Sequence, residues 1–401
     1  MISLCKVVFM IYKRQLFKEI KGFQESKDII VITGMRRVGK TTLLNYFYQG
    51  LNTQNKIFLD LEDVLNQSLF KVNSYSEIAL VFKKKGLDLN RKGYVFLDEI
   101  QFVKNIPSVA KYFYDHYKIK FYLTGSASFY LKNLFSESLA GRKKLFELFP
   151  LNFNEFLTFK QSKYSISKFK EKVSKYSFDV FKPLVDEYLE WGGMPGVVLL
   201  SNNRKEDRLR DVFTSYFQKE VKDLGDFRKN QQVENLIMLL SKRVGQKLDI
   251  SRFSKELQVS RPTVYEYLNF LEKTYFISLV SAYGDNSISV RKQKKVYLID
   301  CGFHKILGVA SSGSAFEGAV YRQLRKQGEV NYFASKNQEI DFILKKKEKI
   351  FAFEVKETAT EGDLKKLSQI CKKLRIRNYY LVSRNFSEVE KTKYIFQLNN
   401  I

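Results

Sequence analysis

The chain is poor in cysteine and histidine: Cys5, Cys301 and Cys371, with His116 and His304, are all that its 401 residues contain. Cysteines so few and so far apart exclude a disulfide framework and a zinc cluster, and two histidines exclude a His-rich metal site. This usage fits a reducing compartment, so a cytoplasmic protein is expected. Long apolar runs are missing as well. The N-terminal "MISLCKVVFMIY" is interrupted by Lys6, is followed at once by "KRQ", and has no small-residue cleavage site; Met10 is an equally good start. No run reaches the ~18 apolar residues of a spanning helix, so no membrane segment is expected.

Acid is the other shortage. Against 69 Lys and Arg stand 43 Asp and Glu, a formal charge of +26. The excess is spread in runs such as "KKK" (83–85), "GRKK" (141–144), "RKQKK" (291–295) and "KKKEK" (345–349). A field of that sign attracts polyanions: nucleic acid first, with DNA favoured, and an anionic surface second. The plainer reading is a basic surface that serves solubility. Hydrophobic content of 44% and aromatic content of 15% describe a folded chain, long enough for two or three cores.

Residues 28–126 alternate short β-branched runs with helical patterns: "DIIVIT" (28–33), "KIFLDL" (56–61), "YVFLDE" (94–99) and "FYLTGS" (121–126). Apolar strands separated by helices predict an α/β domain whose parallel sheet is covered on both faces. From about 150 to 230 the pattern turns helical, with the polar stretch 160–177 and the turn "WGGMPG" (191–196). Residues 232–300 read as helix, helix, turn, helix and strands, and the last hundred return to α/β. No internal repeat is visible.

"GMRRVGKTT" (34–42) fits G-x-x-x-x-G-K-[ST], follows a predicted strand and opens the helix "TTLLNYFYQ". That context makes it a phosphate-binding loop. Gly34 and Gly39 let backbone N–H groups curl around phosphates, and the helix N-terminus adds positive potential. Lys40 reaches the β and γ phosphates, and the Thr41 hydroxyl ligates Mg²⁺. Arg36, Arg37, Val38 and Thr42 complete the nucleotide-binding set; the two arginines touch phosphate or face solvent. "YVFLDE" supplies Asp98, expected to hold the magnesium through its water shell, and Glu99, expected to polarise the attacking water. The base-reading "NKxD" of GTPases is absent, so ATP is the expected nucleotide. Thr124 and Ser126 form a polar sensor near the γ-phosphate, or merely end their strand. Arg142 is a transition-state charge partner, supplied within the chain or to a neighbouring subunit of a homo-oligomer, or else a solvated arginine.

The segments "GMRRVGKTTLL", "FLDEIQ", "LTGSAS" and "LAGRKKLFELFPLNFNEF", continuing through "YLEWGGMPGVV", "VYLIDCGFHKIL", "FEGAVYRQL" and "EIDFIL", resemble the AAA-superfamily ATPases of archaea and bacteria with an uncharacterised C-terminal domain. The resemblance covers most of the chain from about residue 10. It implies a P-loop ATPase core (1–150), a helical lid (151–230), a winged helix (231–300) and a restriction-endonuclease-like terminal fold (301–401).

Within the middle region, "SRFSKELQ" and the helix capped by Ser260, with Pro262 near its start, have the helix-turn-helix rhythm. Val264, Leu268 and Leu271 recur at core spacing, whereas Thr263, Glu266, Asn269 and Phe270 are expected to face outward. An acid and an aromatic suit a major groove poorly. Phosphate contacts are therefore expected from the wing, 291–295, unless the module serves to pack against the ATPase or another subunit.

The C-terminal order of helix, three strands, helix and strand is that of the PD-(D/E)xK nucleases. Glu354 and Lys356 are two apart on one strand and share a face, and a hairpin at 345–349 brings Asp341 alongside. Asp341, Glu354 and, from the preceding helix, Glu317 are candidate ligands of a second Mg²⁺, with Lys356 as the candidate catalytic lysine. The alternatives are a surface ion pair and a non-cleaving binding platform. Three functions follow as expectations: a DNA-associated ATPase, a nucleotide-dependent oligomeric switch, and a nuclease with an ATP-gated lid.

Overall fold

All four apolar runs of the N-terminal third become parallel strands. They are β1 (Ile29–Thr33), β2 (Lys56–Asp60), β3 (Gly93–Asp98) and β4 (Ile119–Gly125). A fifth strand, β5 (Lys143–Glu147), lies at the edge, and the order is β2-β3-β4-β1-β5. The computed structural model describes residues 11–71, 74–125, 139, 141–164, 173–222, 230–284, 293–308, 312–335 and 338–401. Ser126, most of the apolar N-terminal stretch, part of the polar stretch 160–177, and Arg291 and Lys292 of the expected wing lie outside them.

Every residue of β1, β3 and β4 is buried, which is why those strands read as unbroken apolar runs. Strand β5 was hidden behind its charge. "KKLFE" is mostly accessible, and lysines on an edge strand discourage pairing with another chain, so a strand looked like a basic run. One sheet face is covered by the helix Ile106–His116, whose Ile106, Val109, Ala110 and Phe113 form a buried stripe at helical spacing. On the other, the helix Lys40–Gly50 buries Leu43, Leu44 and Phe47. The Phe47 ring stacks on Tyr122, and Tyr122 on Phe96, at centroid distances of 5.7 and 4.7 Å. Each such buried side chain contributes about 1.5–3 kcal/mol.

Because the strands are parallel, their C-terminal ends share one rim. Ile32 is opposite Thr124 and Leu97 opposite Leu123, so Thr33, Asp98 and Thr124 finish together. Strand β4 stands between the glycine-loop strand and the aspartate strand.

The chain divides into two compact units, Met1–Phe149 and Pro150–Ile401. The second unit spans the segments read from the sequence as lid, winged helix and terminal region. Its first half is helical: Phe153–Phe159, Lys175–Trp191, Pro195–Val198 and Asn202–Tyr216. Three helices follow, Asn230–Ser241, Ile250–Leu257 and Arg261–Lys273. They lead into the antiparallel pair β6 (Ile277–Val280) and β7 (Lys295–Leu298). Ser260 caps the third helix by accepting the Thr263 N–H at 3.2 Å. Val264, Leu268 and Leu271 are buried as expected, and so is Phe270, at 7% exposure. The outward placement of Phe270 is therefore corrected: the helix buries Tyr267 and Phe270 on a second flank and exposes Tyr265.

The terminal sheet contains β8 (Glu329–Ser335), β9 (Gln338–Lys346), β10 (Lys349–Lys356), β11 (Asn378–Ser383) and β12 (Thr392–Lys393), in the order β12-β11-β10-β9-β8. Strands β8 to β10 are antiparallel, and β11 joins β10 in parallel after the helix Glu361–Lys373.

One buried node ties the helical half of this unit to the chain after β7. Asp300 accepts the Gly193 N–H at 2.8 Å and the Gly302 N–H at 2.9 Å, and the positive charge of Arg322 faces it. Burial pushes the Asp300 carboxyl above its usual range while Arg322 and the two N–H groups pull it back. The "WGG" turn fits because it lacks side chains: a β-carbon on Gly192 would stand 1.6 Å from Asp300 Oδ1. Trp191 is buried at this turn.

Candidate functional site

The loop after β1 starts where the chain leaving β5 runs against it. Thr33 O accepts the Leu148 N–H at 2.7 Å, and a β-carbon on Gly34 would stand 2.1 Å from the Leu148 carbonyl oxygen. Gly34 is thus required for space. Gly39 is required for conformation: nothing crowds it, but its φ of 98° is left-handed. Arg37 is also left-handed, with φ 69°. These two turns curl the backbone before the helix Lys40–Gly50 begins, the arrangement that turns successive N–H groups inward.

Val38 is buried, and its carbonyl accepts Arg14 Nη1 at 3.2 Å, while Arg14 Nη2 donates to Phe149 O at 2.7 Å. Arg14, absent from the expected set, braces the loop from behind. Arg36 pairs with Glu62 at 3.0 Å, Arg37 is exposed, and Thr41 and Thr42 are exposed at the first turn of the helix. The Lys40 ammonium spans the loop, donating to the carbonyls of Gly34 at 3.0 Å and Met35 at 3.1 Å.

Asp98, 2% exposed, meets this loop. The hydroxyl of Thr124 donates to its Oδ1, and the Thr41 hydroxyl is near enough to the same carboxylate to favour its charged form. Burial pushes the carboxyl up; Thr124 and Thr41 counter it, as does the charge of Lys40. Thr124 therefore acts on Asp98. Glu99 adopts a left-handed φ of 53°, a conformation that costs a non-glycine residue about 1–2 kcal/mol and is found preferentially at functional sites. Its N–H donates to Asp98 Oδ1 at 3.2 Å and Thr124 Oγ1 at 3.3 Å, and its carboxylate accepts the Gln101 side-chain amide. Gln101, another residue the motifs did not reveal, fixes where that carboxylate points. Hydroxyl and carboxylate oxygens beside a loop of backbone N–H groups suit Mg²⁺ carried by a triphosphate.

Arg142 is not brought to this rim. Its carbonyl accepts the Ile29 N–H, at the start of β1, and its guanidinium pairs with Asp115 at 3.1 Å. The length of β1 separates it from the loop of its own chain.

The C-terminal candidates do converge. Asp341 Oδ2 accepts the Val355 N–H at 2.8 Å, and Lys356 donates to Glu354 Oε1 at 2.7 Å. But a further residue stands among them. The ammonium of Lys295, 4% exposed and on β7, lies 2.7 Å from Glu339, 3.6 Å from Glu317 and 3.7 Å from Asp341. Tyr297 also donates to Glu317, at 2.6 Å. Burial and the neighbouring Asp341 push both Glu317 and Glu354 up to about 7. Burial works against the charge on Lys295, yet Glu317, Asp341 and Glu339 together raise its pKa above the ordinary lysine range. Among the described residues no group of three or more His, Cys, Asp or Glu side chains is arranged to hold a metal ion. Asp341 and Glu317, two of the expected metal ligands, thus already face an ammonium of the chain itself. Lys356, the expected catalytic lysine, pairs with Glu354. Lys295 was expected in the wing 291–295 as a phosphate contact, because "RKQKK" reads as solvated charge; the structure buries it among carboxylates instead.

Comparison with known proteins agrees with this geometry. Residues 26–157 match the family model described as "AAA domain", so the N-terminal unit is an ATPase domain of the AAA, P-loop type. Residues 182–312 and 312–401 match two models, each described as "Domain of unknown function" (DUF8612 and DUF4143). An uncharacterized protein of Methanocaldococcus jannaschii is 28% identical, over 95% of this chain and 91% of its own length. One of Haemophilus influenzae is 26% identical, over 95% and 96%. Among solved structures, the Walker-type ATPase of Pyrococcus abyssi superposes with a TM-score of 0.49 at 17% identity, covering 75% of this chain and 96% of that one. No described helix is long and apolar enough to cross a membrane.

Proposed function

We propose that the N-terminal unit binds ATP with Mg²⁺ and hydrolyses it, and that this turnover acts on nucleic acid, DNA in preference. The observation that carries the reading is the meeting of Lys40, Thr41, Asp98 and Glu99 at one rim of the sheet, although Asp98 arrives on a strand that is not adjacent to the loop's. Lys40 would leave the carbonyls of Gly34 and Met35 for the β and γ phosphates. Thr41 and Asp98 would hold Mg²⁺, which supplies charge neutralisation between those phosphates. Glu99, aimed by Gln101, would orient the attacking water. The partner assignment rests on the +26 charge. DNA or RNA is expected to raise the ATPase rate, and binding to weaken steeply with salt; turnover indifferent to every nucleic acid tried would remove this partner.

Thr124→Val keeps the shape of a buried side chain and deletes the hydroxyl bonded to Asp98. Losing the group that positions the metal-binding carboxylate should lower turnover about 10- to 100-fold, and the unmet buried acceptor should lower stability by about 1–3 kcal/mol. Steady-state kinetics with wild-type values would show that Thr124 only ends its strand.

A nucleotide-dependent oligomeric switch is favoured by one observation: Arg142 stands at the far rim, where the only nucleotide within its reach would belong to a neighbouring subunit. Light scattering with and without ATP tests this, and an oligomer size unchanged by nucleotide would exclude it.

A further inference from the structure

A cation is already present where the C-terminal fold was expected to recruit one. Three carboxylates from two elements surround the Lys295 ammonium: Glu317 on the helix Ser312–Leu324, and Glu339 and Asp341 on β9. Glu339 and Asp341 are two apart on one strand and share a face. The lysine arrives from β7, in the preceding hairpin, and is almost fully enclosed. Mg²⁺ requires oxygens at about 2.0–2.1 Å in a near-octahedral shell. An ion centred between these carboxylates would have to displace the ammonium. Removing that ammonium would leave buried carboxylates without a counter-charge, a costly arrangement. Around it, Lys247 pairs with the second oxygen of Glu339 at 3.1 Å and Lys356 with Glu354 at 2.7 Å. Three ammonium groups thus face four carboxylates, leaving little negative charge to attract a divalent ion.

We propose that Lys295 is a tethered substitute for a divalent cation: it occupies the pocket of a nuclease-like site, renders the site non-cleaving, and turns it into a joint that docks the β6–β7 hairpin onto β9 and the helix Ser312–Leu324. The pocket then binds part of its own chain in place of metal and scissile phosphate. This inference does not depend on ATP hydrolysis, and its test reads a different site.

Mn²⁺ binding to the full chain is measured without nucleotide by the loss of the free-ion electron paramagnetic resonance signal. Wild type and Asp341→Asn are expected to give the same isotherm, because no ion enters the pocket. Lys295→Met is expected to gain a Mn²⁺ site at least about tenfold tighter than any in wild type. Adding Asp341→Asn to Lys295→Met should abolish it. The melting temperature of Lys295→Met should be lowered and then raised by Mn²⁺, whereas wild type should be indifferent to chelator. A wild-type site that disappears in Asp341→Asn would overturn the proposal, as would a folded Lys295→Met that gains none. If Lys295→Met does not fold, the wild-type and Asp341→Asn pair decides by itself.

Discussion

Lys40→Ala is expected to lower ATP turnover by about a hundredfold or more, because it removes the one charge aimed at the phosphates where negative charge builds up. The fold should survive. Among the described residues the ammonium bonds only the carbonyls of Gly34 and Met35, and a lost bond of that kind costs about 0.5–3 kcal/mol. The loop keeps its other supports: Arg14 beneath Val38, and Gly34 packed against Leu148. The β1 and β4 core does not involve this side chain. Circular dichroism should match wild type, and the rise in melting temperature on adding ATP and Mg²⁺ should vanish. Full activity in this variant would overturn the site assignment and, with it, the proposed ATPase function.

The second large effect concerns stability. Asp300→Ala should destabilise the C-terminal unit by about 3–5 kcal/mol, the range for removing one member of a buried charge pair. The loss has two parts. The N–H groups of Gly193 and Gly302 lose their acceptor in a dry interior, and the buried Arg322 loses the negative charge that faces it. No side chain from the turn can fill the gap, since Gly192 and Gly193 have none. Chemical denaturation followed by tryptophan fluorescence reads this node directly, because Trp191 is the only tryptophan in the chain. A loss below ~1 kcal/mol, the cost of an ordinary hydrogen bond, would show that the node does not organise the unit.

Much of the nucleotide site was legible because its chemistry is local. A glycine loop between strand and helix, and an apolar strand ending in Asp-Glu, each carry their meaning within ten residues. The supports were not legible. Arg14 is buried beneath Val38 across 24 residues of sequence, and at its own position it is one basic residue among many. Gln101 follows Glu99 closely, but nothing in "DEIQ" says that its amide turns back to the carboxylate. At the C-terminus the roles reversed. Asp341, Glu354, Lys356 and Glu317 were found and do come together, yet the pattern concealed the residue that decides what they do.

By itself the sequence determined the four apolar strands of the first sheet, their parallel character and the identity of the phosphate loop. These follow from hydrophobic period and backbone conformation, which act over a few residues. Only the tertiary structure decided that β4 separates the loop from the aspartate strand, that Arg142 ends on the far rim, and that Lys295 fills the acidic pocket. Each depends on which distant segments pack together, and a lysine carries the same letter whether it faces water or is enclosed by three carboxylates.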